Sequence, residues 1–223
     1  MLFALIKEHA FSMTAKVRCV CVAFFFVYAI AAAQEPPIMK AVRAKYNEKT
    51  SLETRFDLHI FWKVREREET KSGKIYCAPG DKFRVELGPT IWVSNGENYW
   101  QCDQDEKGTQ VVIKRLSDVS VAMLPSHILN TYVAEHGYRL AQETPTAAVV
   151  EWKSDSLGAE TEARVIRISI EKKNAAISSL FITDNSGNES TYSFKKTKFP
   201  AKLPESLFEY TPPKGVSILD MRN

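Results

Sequence analysis

Cysteine and histidine are the side chains in this sequence with the most scope for covalent or metal chemistry, and they are scattered. After residue 33 the chain has Cys77, Cys102, His59, His127 and His136. A thiol nucleophile needs a neighbouring base, and a zinc site needs Cys or His ligands at short spacings. The sequence shows neither pattern, and it has no Gly-x-Ser-x-Gly elbow, His-Glu-x-x-His pair or phosphate-binding glycine loop. It therefore predicts a protein that is not an enzyme and uses no metal or cofactor.

Cys77 and Cys102 also raise the question of a disulfide. A bridge would close a loop of about 25 residues and contribute roughly 3 to 4 kcal/mol. However, a simple meander would place the two cysteines three strands apart, about 14 Å at 4.8 Å per strand. A disulfide needs Cα atoms within about 7 Å. We expect two free thiols, with the bridge as the alternative.

The N-terminus has the layout of a secretory signal peptide. Lys16 and Arg18 precede an uncharged, mostly apolar run over residues 19–33 that ends in alanines. This run is short for a membrane span, which needs about 20 residues, so a signal anchor is the weaker alternative. We expect cleavage after Ala33, export to the periplasm and one mature domain, residues 34–223. Met13 is an alternative start.

The charge balance argues against a nucleic-acid partner. The chain has 30 Lys and Arg and 27 Asp and Glu, and residues 1–33 contain three of the basic and one of the acidic side chains. The mature protein would be nearly neutral, with both signs interspersed along the chain. Nucleic-acid binders usually concentrate Lys and Arg on one face, so we expect no nucleic-acid binding.

Hydrophobic periodicity predicts one helix followed by a long series of strands. Met39, Val42 and Tyr46 recur at helical spacing. Strict alternation then begins near Phe56 and places His59 on the polar side of its strand. More alternating segments follow at short intervals as far as residue 196, separated by turn residues.

The turns predict how these strands connect. Asn95-Gly96 is typical of a two-residue primed turn in which both central residues take positive φ, so a hairpin is expected there. Helical spacing replaces alternation over residues 116–133, where Pro125 should separate two short helices. About eleven antiparallel strands with two or three helical segments predict a mainly β (α+β) protein built on a wide, curved sheet.

Such a sheet needs cover on its apolar face, and the predicted helices are too few to pack it from edge to edge. Sparsely filled barrels and half-barrels commonly hold an apolar ligand. The pattern therefore predicts a hydrophobic cavity, with the helices of residues 116–133 as a cover. A filled core without a ligand is the alternative.

The C-terminal stretch LFEYTPPKGVSILD, residues 207–220, carries the first sign of a known family. An aromatic strand is expected to run into Thr-Pro-Pro, and after Lys-Gly a second short apolar strand reaches Asp220. Similar motifs precede it in order: SLETRFDLHIFWKV, GKIYCAPGDKFRVEL, IWVSNGENYWQCD and SLFITDNSGNESTYSF. From Met39 to Asp220 the chain resembles the LolA family of periplasmic outer-membrane lipoprotein carriers. The matching tail residues are Thr211, Pro212, Pro213, Gly215, Val216 and Asp220.

The resemblance implies an incomplete antiparallel β-barrel whose concave apolar face is covered by a helical lid and binds the acyl chains of lipoproteins. It also implies two partners, an inner-membrane lipoprotein-releasing transporter and an outer-membrane acceptor. The chain departs from the family at Ala78-Pro79-Gly80, where well-studied members have Lys-Arg-Pro and their arginine is tied to the lid. The resemblance also implies that the last strand protects an edge of the sheet.

The candidate site residues are the apolar side chains of the expected inner strand faces and lid. For each of them, ordinary core packing is the alternative. The expected cavity residues are Phe56, Leu58, Ile60, Trp62, Phe83, Val85, Trp92, Trp100, Ile166, Ile168 and Phe181. The expected lid residues are Met123, Leu124, Ile128 and Leu129, of which the first two should plug the empty cavity.

These features predict a monomeric carrier of acylated lipoproteins. Two alternatives use the same fold: a carrier of lipid or glycolipid, and a lipid-sensing periplasmic regulator.

Overall fold

The computed structural model describes residues 35–47, 49–105, 108–119, 137–153 and 163–222, which form one α-helix, two short 3₁₀ segments and twelve strands. The helix is α1, Pro37–Lys45. The strands are β1 Leu52–Trp62, β2 Arg67–Ala78, β3 Lys82–Leu87, β4 Thr90–Asn95, β5 Asn98–Asp105, β6 Gly108–Arg115, β7 Arg139–Glu143, β8 Ala147–Lys153, β9 Ala163–Glu171, β10 Ala176–Asp184, β11 Glu189–Lys198 and β12 Ser217–Asp220.

All twelve strands belong to one open sheet in the order β12-β6-β5-β4-β3-β2-β1-β11-β10-β9-β8-β7. Two meanders, β1 to β6 and β7 to β11, are joined where β1 pairs with β11. Every neighbouring pair is antiparallel except β12 and β6, which run parallel. The predicted mainly β fold with an open antiparallel sheet is confirmed, with one strand more than the eleven expected.

Helix α1 forms where helical periodicity was expected, and it begins at two consecutive prolines. Pro37 occupies the first turn, where a missing N–H costs no helix hydrogen bond. Met39 and Val42 are fully buried, as their spacing on one helix face predicts. Just after the helix, the Tyr46 hydroxyl accepts a 3.0 Å hydrogen bond from the backbone N–H of Ile177, which fixes the helix end to β10.

The two faces of the sheet have different covers. We call the inner face the one that carries Phe56, Leu58 and Ile166, whose side chains belong to the same buried cluster as Met39 and Val42 of α1. The outer face is the opposite one. On β1 the outer face carries Asp57 and also His59, which is partly exposed near Glu68 as expected of the polar side of that strand.

Two strand boundaries differ from the sequence expectation. Strand β2 begins at Arg67, six residues before the alternating apolar segment, because its polar first half pairs with β1 in unbroken register as far as Trp62. The β4–β5 hairpin is present, but its turn residues are Gly96 and Glu97. Asn95 instead accepts hydrogen bonds from the backbone N–H groups of Glu97 and Asn98, at 3.0 and 2.8 Å.

The C-terminal segment differs most from the sequence prediction. The aromatic stretch predicted as a strand is a 3₁₀ turn, Glu205–Phe208, followed by extended chain without ladder hydrogen bonds. Phe208 is 1% exposed, and Tyr210 and Val216 pack against an outer-face cluster that includes Val93 and Trp100. Strand β12 then pairs with β6, so the expected protection of that edge is present.

Candidate functional site

Six of the predicted cavity residues lie together on the inner face. Their side chains are at most 8% exposed and belong to one apolar cluster that extends over β1, β3 and β9 and reaches helix α1. Alternation explains the placement, because every second side chain of a strand points to the same face. The six residues are Phe56, Leu58, Phe83, Val85, Ile166 and Ile168.

Three more candidates are only half-buried. Ile60 and Trp92 pack against the inner cluster. Trp62 follows Ile60 at the end of β1 and shares its face by register. Exposure along this face of β1 therefore rises from Phe56 towards Trp62, so the apolar surface reaches the solvent at that end of the strand.

Trp100 was placed on the wrong face. It lies directly opposite Val93 in the β4–β5 hairpin, whereas Trp92 lies opposite Gln101. A two-residue turn pairs odd-numbered with even-numbered residues, so Trp92 and Trp100 cannot share a face of this hairpin. Trp100 instead packs in the outer-face cluster under the C-terminal segment. Residue parity across the turn was the sequence signal for this assignment.

Phe181 also lies on the outer face, and here the cause is a β-bulge. The register of β10 against β9 shifts between Ile177 and Ser179. Because an extra residue reverses the alternation, Ile177 points inward before the bulge and Leu180 after it. Phe181 therefore points outward, where the Arg167 guanidinium lies 5.2 Å from its ring centroid.

The sequence interpretation missed several inner-face residues at the β8–β11 side of the sheet. Trp152 is fully buried, and Tyr138 contacts it edge-on at 5.4 Å between ring centroids. Tyr192 lies between Leu58 and Leu180 by register, and its burial raises the pKa of its hydroxyl. The alternation in AAVVEWK, residues 147–153, was a usable signal for Trp152.

A glycine on β2 makes room for the ring of Phe56. Gly73 is directly opposite Phe56 on β2. A Cβ atom at Gly73 would meet the Phe56 ring at 2.5 Å and the backbone oxygen of Glu86 also at 2.5 Å. Both distances are far below van der Waals contact, so this part of the inner face requires glycine at that position.

The outer face of β7 to β9 carries a cross-strand ion cluster. Glu151 is 3% exposed and accepts hydrogen bonds from Arg167 at 2.6 Å and from Arg139 at 2.8 Å. These two bonds, Arg167 first, lower the pKa of Glu151 against the opposing effect of its burial. The cluster ties three neighbouring strands together on the face away from the apolar site.

Cys77 and Cys102 are both buried and free. Cys77 belongs to the inner cluster and Cys102 to the outer one, so the sheet separates them. Burial raises the pKa of Cys77 to about 12, which keeps the thiol protonated and unreactive. The expectation of two free thiols is confirmed.

Some expectations fall outside the described residues. The lid residues Met123, Leu124, Ile128 and Leu129 do so, as do His127, His136 and the whole predicted leader. The family departure at Ala78-Pro79-Gly80 is described: β2 ends at Ala78, and a turn with Gly80 at φ +79° leads into β3. Within the ranges that the structure describes, no helix has the length and hydropathy of a membrane span.

Comparison with known proteins agrees with this geometry. The chain is 36% identical to an outer-membrane lipoprotein carrier protein from Pseudoalteromonas translucida over 30% of its own length and 32% of that protein. It is 27% identical to one from Chromobacterium violaceum over 69% of its length and 74% of that protein. In fold it resembles an uncharacterized conserved protein from Thermus thermophilus, with TM-score 0.52, 15% identity, and 82% and 96% of the two chains covered.

The family model described as outer membrane lipoprotein carrier protein LolA matches residues 48–211, which extend from just after α1 through strands β1 to β11 to the Thr of the Thr-Pro-Pro tail. This chain belongs to the LolA family.

Proposed function

We propose that this protein is a periplasmic carrier that binds the acyl chains of lipoproteins on its inner face and transports them from the inner to the outer membrane. The observation that carries the proposal is the continuous apolar cluster on one face of an open LolA-type sheet, with contributions from β1 to β5 and from β8 to β11. A carrier of this kind performs no covalent chemistry. The carrier names of its relatives support the same function.

The energetics of acyl chains explain why a carrier needs such a face. Each buried CH₂ contributes about 0.8 kcal/mol, so one chain of about sixteen carbons gains roughly 12 kcal/mol on leaving water. A large apolar surface is needed to supply this gain during transit. The half-buried Ile60, Trp62 and Trp92 lie where bound chains can replace solvent contact.

The proposal extends to export and to the lid. Residues 1–33 act as a cleaved leader, and Met123 and Leu124 occupy the empty site until acyl chains displace them. N-terminal sequencing of the protein from a periplasmic fraction tests the first point. Polar substitution of both lid residues tests the second, because unchanged lipid uptake would contradict the plug.

Native mass spectrometry of the protein purified gently from the periplasm tests the main proposal. A co-purifying triacylated lipoprotein is the expected result. Bound phospholipid or glycolipid alone would favour a lipid carrier or a lipid-sensing regulator instead. A protein that carries no lipid and does not bind a neutral hydrophobic dye would refute acyl binding altogether.

A further inference from the structure

One end of the inner face changes from apolar to charged within the β1–β2 hairpin. On β1, Phe56 and Leu58 are 2% and 5% exposed, and the next inward residues, Ile60 and Trp62, are half-buried. All four are apolar. This end of β1 is therefore where the inner face meets solvent.

The facing half of β2 supplies the charges. Lys71 lies directly opposite Leu58. Glu69 lies directly opposite Ile60. Since directly opposed residues of antiparallel strands share a face, both charged side chains lie on the inner face. They form an ion pair of 3.1 Å between Nζ and Oε1, and their side chains are 40% and 32% exposed.

This ion pair is accessible because the neighbouring strand β3 does not extend as far as Lys71 and Glu69. Strand β3 ends at Leu87, opposite Gly73, so among the described strands β2 has no second neighbour beside Lys71 or Glu69. The pair is thus bordered by apolar side chains of β1 on one side and is open on the other. It lies at the boundary between the apolar face and water.

Hydrocarbon is a poor cover for such a pair. Burying an ammonium and a carboxylate under acyl chains would remove their water without replacing its hydrogen bonds. Acyl chains that enter the apolar inner face are therefore excluded from the surface above the pair. A ligand that covers both regions needs apolar chains and, next to them, groups that accept and donate hydrogen bonds.

We propose that Glu69 and Lys71 form a polar subsite for the diacylglyceryl-cysteine linkage of the cargo, with Lys71 donating to an ester carbonyl oxygen and Glu69 accepting from a backbone N–H of the attached peptide. This inference rests on the proposed function and specifies where the cargo's head lies. The ammonium has three donors, so it can keep its bond to Glu69 while it binds the carbonyl. The ligand class is a lipopeptide rather than a free hydrocarbon.

Matched variants on β2 separate this subsite from a general effect of charge. Lys71→Met removes the inner ammonium and keeps an unbranched side chain of similar length. Lys74→Met is the control, because Lys74 lies on the same strand, on the outer face, and also pairs with a carboxylate, that of Glu86 at 3.8 Å. Both variants remove one positive charge from β2, and circular dichroism melting curves confirm that each one folds.

The assay is displacement of N-phenyl-1-naphthylamine, a neutral fluorescent probe, by two lipopeptides. One is a dipalmitoyl-S-glycerylcysteinyl peptide with neutral side chains, and the other is its analogue with ether-linked hexadecyl chains. We expect Lys71→Met to weaken binding of the ester lipopeptide about tenfold, equivalent to about 1.4 kcal/mol. Its affinity for the ether analogue should change less than about twofold, as should both affinities of Lys74→Met.

The outcomes separate the two proposals. If Lys71→Met binds the ester lipopeptide as tightly as wild type, or loses affinity equally for ester and ether, the polar subsite is refuted while acyl binding stands. If wild-type protein binds neither the probe nor either lipopeptide, the carrier proposal itself fails, and this inference fails with it.

Discussion

Replacing Gly73 with alanine should destabilise the protein, although alanine is normally the better residue in a strand. A Cβ atom there would lie 2.5 Å from Cζ and 2.6 Å from Cε1 of Phe56, and 2.5 Å from the backbone oxygen of Glu86. The ring is buried in the inner cluster and the oxygen belongs to the neighbouring strand, so neither can move away freely. Relief requires a shift of about 1 Å in the ring or in the strand spacing.

The expected loss of unfolding free energy in Gly73→Ala follows from two opposing effects. Overpacking of a well-filled core costs about 1 to 3 kcal/mol, and the upper end applies because one of the two obstacles is backbone. Replacing a glycine in a strand with alanine also raises the unfolding free energy by about 0.5 to 1 kcal/mol, because the unfolded chain then has less conformational entropy to lose. The net loss in unfolding free energy should be about 2 kcal/mol, or a fall in Tm of roughly 4 to 8 °C for a domain of this size. Urea unfolding and thermal melts measure both quantities.

A double-mutant cycle with Phe56→Ala identifies the obstacle. If the ring causes part of the clash, Gly73→Ala must cost less in the Phe56→Ala background, with a coupling energy of about 1 kcal/mol or more. Additive effects would show that the ring is not in the way. A Gly73→Ala variant as stable as wild type would refute the packing described for this part of the inner face.

Three further predictions concern the helix, the ion cluster and the two tryptophans. Tyr46→Phe should cost about 1 to 2 kcal/mol in urea unfolding, because the buried N–H of Ile177 loses its acceptor; a loss below about 0.5 kcal/mol would contradict this. Glu151→Gln should cost about 1 kcal/mol at pH 7, a value discounted because both arginine partners are exposed to solvent. The folded-state pKa of Glu151 is lowered, so its contribution to the unfolding free energy is present above the unfolded pKa of about 4.3 and is lost as the pH falls through the folded pKa. The stabilities of wild type and variant should therefore converge in acid. A stability difference that stays constant with pH would count against the ion cluster. Trp92→Leu should weaken binding of a neutral hydrophobic dye, whereas Trp100→Leu should lower stability and leave dye binding unchanged; equal effects on dye binding would contradict the face assignment.

Strict alternation made much of the fold predictable from the sequence. Only one orientation of a segment such as residues 56–62 buries most of its large apolar side chains, so its alternating pattern decides which face points inward. The same holds for Ile166, Ile168 and Ile170 on β9, all of which are buried. Family resemblance then placed these strands in an open sheet, and the structure agrees.

Two of the differences, the face of Phe181 and the start of β2, depend on features that a residue pattern does not contain. The bulge at Ser178 reverses the alternation of β10, and no glycine or proline marks it in the sequence. The polar first half of β2 is a strand because β1 pairs with it, not because its own residues favour one. In both cases a long-range contact decides the local structure.

The C-terminal tail shows a further limit of pattern analysis and also explains part of the site. Strands β4 to β6 carry buried apolar residues on their outer face, including Val93, Val111 and Ile113. That face would be exposed without a cover, and the tail supplies one by laying Tyr210 and Val216 across it. Pro212 and Pro213 suit this role, because they keep the chain extended without adding donors that would need a ladder partner. Of the two apolar clusters in the described residues, the tail covers the outer one, so the inner one is the surface that we propose for a ligand.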